Sequence, residues 1–120
     1  MQGTMTRMTQ DMQECSKRCW ECHRVCLETI SHCLQMGGQH ADPAHIRLLM
    51  DCTEICLTSA NFMLRASDFH VQTCAVCAVV CERCAKDCDQ FNDAQMKTCA
   101  ESCRRCSESC QRMDTEMTGR

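Results

Sequence analysis

The sequence predicts an all-α fold, an antiparallel up-down four-helix bundle with a cysteine-lined core. Three observations lead there. Sixteen of the 120 residues are cysteine. Nearly all lie three or four positions from the next, the spacing that keeps side chains on one face of a helix with 3.6 residues per turn. Cap and turn signals divide the chain into four such stretches. The connections between them are short, so neighbouring helices should run antiparallel. The whole chain, 1–120, reads as one domain.

The first helix is expected over about 5–36. Thr4 or Thr6 could start it, or Asp11 with Glu14 as a capping box, and Gly37-Gly38 closes it. Its stripe holds Cys15, Cys19, Cys22, Cys26 and Cys33, at gaps of 4, 3, 4 and 7. Asp42-Pro43 supplies an N-cap and a first-turn proline for a second helix, about 43–65. That helix carries only Cys52 and Cys56. Ser67 is the expected cap of the third, 68–91, whose Cys74, Cys77, Cys81, Cys84 and Cys88 follow gaps of 3, 4, 3 and 4. Asn92 with Gln95 would cap the fourth, 93–117, which bears Cys99, Cys103, Cys106 and Cys110. Away from the sulfur, Arg24–Glu28, Glu82–Lys86, Arg83–Asp87 and Glu101–Arg105 stand at i,i+4 as a solvated face. Trp20, Phe62 and Phe69 fall off the stripes, either as seam packing or as an oligomer contact.

Composition narrows the class. The formal net charge is −3, from 13 basic and 16 acidic residues, which argues against a nucleic-acid partner. No apolar run of about 18 residues exists, so no membrane span is expected. Met1 to Asp11 has no apolar h-region, twin arginine or cleavage site, and a cytoplasmic location is expected. Leu, Ile, Val and Phe supply only 17 residues, about 14% of the chain, a share that usually marks disorder. Mild charge and strict periodicity argue otherwise. The core must then come from cysteine, ten methionines and alanine, with reduced cysteine acting as a small hydrophobe. A disulfide-stapled structural helical protein is one alternative. Bridges from i to i+3 or i+4 close tiny loops, however, and constrain the unfolded chain little.

Four sulfur stripes facing one axis would put up to sixteen thiols in a narrow tube. Thiolates are soft donors that suit Cu(I), Zn(II), Cd(II) or iron–sulfur clusters. Charge discriminates among these. Four ZnCys4 sites would bury about −8 of charge, and the inner stripes hold no Lys or Arg. Multiple Cu(I) ions, near one per cysteine, leave the core neutral. Seven Cys-x3-Cys pairs offer the two- or three-coordinate sulfur that Cu(I) accepts. No loop of the iron–sulfur type occurs, and no zinc knuckles sit on turns. A zinc or cadmium thiolate sequestering protein remains the main alternative. A thiol redox protein would need one exposed cysteine of low pKa. No nucleophile–base pair or hydrolytic motif is present, so no enzyme activity is expected.

Extending the stripes past their last cysteines gives the tube ends. Met12, Met8 and Met5 continue the first helix, Met113 and Met117 the fourth, His70 the third and Met63 the second. In an up-down bundle these meet at one end, where neutral thioether and imidazole would make a mouth for incoming metal. The opposite end gives Met36, His45, Phe91 and Met96, which read as a plug. His23, His32 and His40 fall off the stripes or in a loop.

With these residues in view, the chain resembles the bacterial copper storage proteins, in their cytosolic branch. The resemblance spans nearly the whole chain and rests on repeated Cys-x3-Cys and Cys-x2-Cys units on four helices. It implies a four-helix bundle, often a homotetramer, with multiple Cu(I) ions held by the sixteen core cysteines. The implied function is copper storage and detoxification, with copper chaperones or cuproenzymes as partners. The two-cysteine second helix departs from the density of the others, so a lower copper density is expected beside it. The Met and His mouth is not carried over from the family; it comes from periodicity alone.

Overall fold

The computed structural model describes residues 8–118, with side chains over 8–113. Met5 and the Met117 side chain, both assigned to the expected mouth, lie outside the described residues. The described chain is four helices and one short 3-10 turn: α1 (Gln10–Met36), the turn Gly38–Ala41, α2 (Pro43–Leu64), α3 (His70–Cys88) and α4 (Ala94–Thr118). No strand occurs among the described residues. Helix α1 packs on α2 and α4, and α3 packs on the same two, while the diagonal pairs meet only through side chains at the axis. The result is a square up-down bundle with extents of 56 × 23 × 21 Å. Its core runs the length of the axis and is mostly sulfur.

Local chemistry sets each boundary, and several differ from the sequence expectation. The cap of α1 is Thr9, whose hydroxyl accepts the Met12 N–H at 3.1 Å. Asp11 lies inside the first turn instead, where its charge favours the helix dipole. Gly37 ends α1 with its N–H on the Cys33 carbonyl, 3.1 Å away. Gly37 and Gly38 take φ of 71° and 57° with open space around both, so backbone conformation rather than crowding selects glycine there. Asp42 caps α2 by accepting the Ala44 N–H at 3.2 Å, with Pro43 beginning the helix.

Helix α2 ends in a Schellman turn. Ser67 N–H reaches the Phe62 carbonyl and Ala66 N–H the Met63 carbonyl, both at 2.9 Å. Ala66 sits at φ 55°. That left-handed residue and the turn after it occupy 65–69, so α3 starts at His70 rather than 68. Ser67 caps the turn, its hydroxyl accepting the Phe69 N–H at 3.1 Å. Helix α3 stops at Cys88, because the N–H groups of Gln90 and Phe91 bond three residues back to Asp87 and Cys88. Asp93, not Asn92, precedes α4, and its carbonyl accepts the Lys97 N–H at 3.1 Å.

Outside, Arg24–Glu28, Glu82–Lys86 and Arg105–Glu101 pair at 2.9, 3.8 and 3.6 Å. The expected Arg83–Asp87 pair does not form; Asp87 turns to His45 and Gln90 instead. Trp20 is exposed and stacks on His23, and Arg65 covers the Phe62 ring.

Candidate metal centre

The helical spacing delivers every cysteine inward. All sixteen are free thiols and none is more than 1% exposed. Their sulfurs meet across helices as well as along them. Nearest the mouth, Cys110 Sγ lies 3.7 Å from Cys15 and 3.6 Å from Cys19. Cys19 is also 3.6 Å from Cys106. At mid-bundle, Cys56 Sγ stands 3.5 Å from Cys81 and 3.8 Å from both Cys77 and Cys106. Cys52 then links Cys81 at 3.6 Å to Cys26 at 3.7 Å and Cys103 at 3.8 Å. Cys26 continues the chain to Cys99 at 3.8 Å. The two thiols of α2 are therefore not a sparse edge but bridges between α1, α3 and α4.

Several quartets bring their sulfurs within 4.8 Å of one another. They include Cys19, Cys77, Cys106 and Cys110; Cys22, Cys52, Cys56 and Cys81; and Cys26, Cys84, Cys99 and Cys103. A further quartet, Cys22, Cys26, Cys52 and Cys103, shares members with these. The donor set is thus one connected ladder rather than a row of separate cages.

The thiols of this ladder ionise unequally. Hydrogen bonding with Cys103, Cys106 and Cys26 holds Cys22 well below the ordinary thiol value. Cys77 is held down in the same way by Cys106 and Cys110, and Cys99 by Cys103 and Cys26. The partners move the other way. Cys103 is pushed up by its bonds to Cys22 and Cys26, and Cys110 by those to Cys106 and Cys15. A thiolate surrounded by thiols is stabilised by their S–H groups, which then hold their own protons more tightly. No Lys or Arg is buried among the described residues, so ionising the whole ladder requires cations from outside.

At the expected mouth, the N-terminus of α1 and C-terminus of α2 meet the N-terminus of α3 and C-terminus of α4. Met12, Met63, Met113 and His70 are buried there, and Met8 packs partly buried against the same core. Met63 Sδ lies 3.8 Å from Cys74 Sγ, which joins the thioether to the ladder. His70 donates from Nδ1 to the Ser67 carbonyl at 3.0 Å, leaving Nε2 as a free lone pair in the neutral ring.

At the opposite end, three of the four expected residues, His45, Phe91 and Met96, are buried, and Met36 is exposed. His45 and Met96 bring donor atoms to Cys33, with Nε2 at 3.4 Å and Sδ at 3.6 Å from its sulfur. The same periodicity reaches both residues, since His45 is seven before Cys52 and Met96 three before Cys99. Their contact with Cys33 has no sequence signal, because it joins three helices. His32 and His40 also acquire partners, holding the two Asp93 oxygens at 2.7 and 3.0 Å. His23 contacts the Thr53 carbonyl at 2.9 Å.

Comparison with known proteins agrees with this architecture. Over 95 residues the chain is 32% identical to the uncharacterized cysteine-rich protein YhjQ of Bacillus subtilis, covering 79% of this chain and 88% of that one. The crystal structure of the Nmul_A1745 protein from Nitrosospira multiformis superposes with a TM-score of 0.86 at 44% identity, covering 89% of this chain and 97% of that one. The Cu(I)-bound copper storage protein BsCsp3 superposes with a TM-score of 0.82 at 31% identity, covering 88% and 99%. The copper storage protein family model matches residues 8–115. With a sulfur ladder inside four helices and a match along almost its whole length, the chain belongs to the copper storage protein family.

Proposed function

We propose that this protein stores Cu(I), and so protects against its excess, by holding many ions on the sixteen core cysteines. The observation that carries the reading is the continuous ladder of buried thiols in a core with no buried Lys or Arg. Each Cu(I) that binds either replaces a thiol proton or neutralises a thiolate, so the tube fills without accumulating charge. Adjacent sulfurs 3.5–3.9 Å apart give a copper ion a new ligand before it leaves the old one. The Cu(I)-bound state of the related BsCsp3 supports the same cargo.

One observation favours a second metal. The first three quartets share no residue, and each has the four thiols of a tetrahedral zinc site. Filling them with Zn(II) would bury about −2 per site without a compensating cation, which is costly in an apolar core. That cost favours copper.

The protein would work in the cytoplasm, assemble as a homotetramer, exchange copper with chaperones or cuproenzymes, and catalyse no reaction. Exposed Trp20, Leu34, Leu64, Phe69 and Val79 supply apolar surface for an oligomer contact. No described helix is long and apolar enough to cross a membrane. Met8, Met12, Met63, Met113 and His70 would form the mouth. Anaerobic Cu(I) titration of the fully reduced protein against a chromophoric chelator tests the reading. Saturation near one copper per cysteine supports it, and saturation below about four ions, the scale of separate four-thiol sites, overturns it.

A further inference from the structure

Cys33 stands apart from the other thiols. It follows Cys26 by seven residues rather than three or four. Its sulfur has no thiol within hydrogen-bonding distance among the described residues; its neighbours are His45 Nε2 at 3.4 Å and Met96 Sδ at 3.6 Å. All three groups are buried, Cys33 and Met96 completely. His45 is held from behind by Asp87, whose carboxylate takes the Nδ1 hydrogen. That bond fixes the tautomer and leaves the Nε2 lone pair facing Cys33. The Phe91 ring lies 5.0 Å from the His45 ring and 4.3 Å from the partly exposed His40 ring, so an aromatic lid covers the group.

Two lone pairs, from imidazole and thioether, therefore converge on a sulfur that carries a single proton. A monovalent soft cation satisfies all three donors where one proton cannot. Thiolate and thioether together select Cu(I) over zinc.

We propose that Cys33, His45 and Met96 form a discrete mixed-donor Cu(I) site at the end of the bundle opposite the Met63–Cys74 contact, with Asp87 as its positioning residue. The inference rests on the storage reading and adds a second kind of copper site to it. On binding, the Cys33 S–H bond breaks and its proton leaves to solvent. A Cu–S bond forms, and His45 Nε2 and Met96 Sδ donate lone pairs without losing a proton. One positive charge replaces another, so the site's charge is unchanged.

The test uses the reduced full-length protein, 15N- and 13C-labelled, titrated anaerobically with Cu(I), which is diamagnetic. As copper loads, the His45 Nε2 resonance should move while Nδ1 keeps its proton, and the Met96 methyl should move over the same additions. Asp87→Ala should mix the His45 tautomers before copper is added and weaken this site by about 10–100-fold. Asp87→Glu should restore both. The inference is overturned if the His45 and Met96 resonances stay fixed while the remaining thiols fill; the storage reading then stands alone. If total binding saturates below about four ions, both fall together.

Discussion

Cys26 is the residue whose loss should tell most about the ladder. Its sulfur lies 3.9 Å from Cys22, 3.7 Å from Cys52 and 3.8 Å from both Cys99 and Cys103. It belongs to at least two quartets, one towards Cys84 and Cys99 and one towards Cys22 and Cys52. Cys26→Ala deletes one fully buried heavy atom, a change comparable to Ile→Val, so the copper-free protein should lose about 0.5–1.5 kcal/mol. The melting temperature should fall by a few degrees, with the fold retained. The copper effect differs in kind. Fifteen thiolates balance fifteen Cu(I) ions, so capacity should drop by about one per chain, because an unmatched buried charge is disfavoured. Thermal melting of the copper-free variant and chelator titration of the same sample measure the two effects separately. Unchanged capacity would refute the argument that thiolate charge sets the copper number. Unfolding of the copper-free variant would refute the claim that these thiols pack as small hydrophobes.

Three further outcomes follow from particular groups. Ala66→Gly relieves a left-handed alanine at φ 55° and should raise stability by about 1 kcal/mol with copper capacity unchanged; a lower melting temperature contradicts the Schellman turn as described. Copper affinity should fall with acidity, because thiols such as Cys33, held at about 11, surrender a proton on binding. The sign follows from that proton. At such thiols the apparent binding constant should fall about tenfold per unit decrease in pH between 8 and 6. Cys22, Cys77 and Cys99, held low, contribute less, so the average slope should lie below one proton per copper. Competition titrations at two pH values read it, and equal affinities would contradict the thiol-proton exchange. Met63→Leu removes the thioether 3.8 Å from Cys74 at a stability cost below about 1.5 kcal/mol. It should slow copper uptake from a chelator while leaving final capacity intact, and an unchanged rate would move the mouth elsewhere.

The sulfur stripes were legible because helical periodicity alone turns gaps of three and four into one face, and every cysteine is buried. The strong start of α2 was equally legible, since Asp42 and Pro43 act through local backbone geometry. Boundaries that depend on several residues at once were not. Ala66 adopts a left-handed conformation that favours glycine, and the delayed start of α3 follows from it. Asp93 is placed at the head of α4, its carboxylate shared by His32 and His40 from α1 and the 3-10 turn. The Cys33 contacts escaped for the same reason. His45 and Met96 approach from different helices, and Asp87 leaves its i,i+4 partner Arg83 for the His45 imidazole. The low cysteine count of α2 pointed to a lower copper density beside it; its count gave no sign that Cys52 and Cys56 stand at the centre of the ladder.

The central claim is that copper runs as a row of sulfur-bound ions inside the bundle. Diffraction from crystals of the Cu(I)-loaded protein, recorded at the copper absorption edge, locates the ions directly. The account predicts anomalous peaks in a line along the axis, those in the ladder each beside two or three cysteine sulfurs and one further peak beside Cys33, with the line passing Cys26, Cys52 and Cys56. Peaks on the outer face, or a few isolated sites separated by empty thiols, would contradict it.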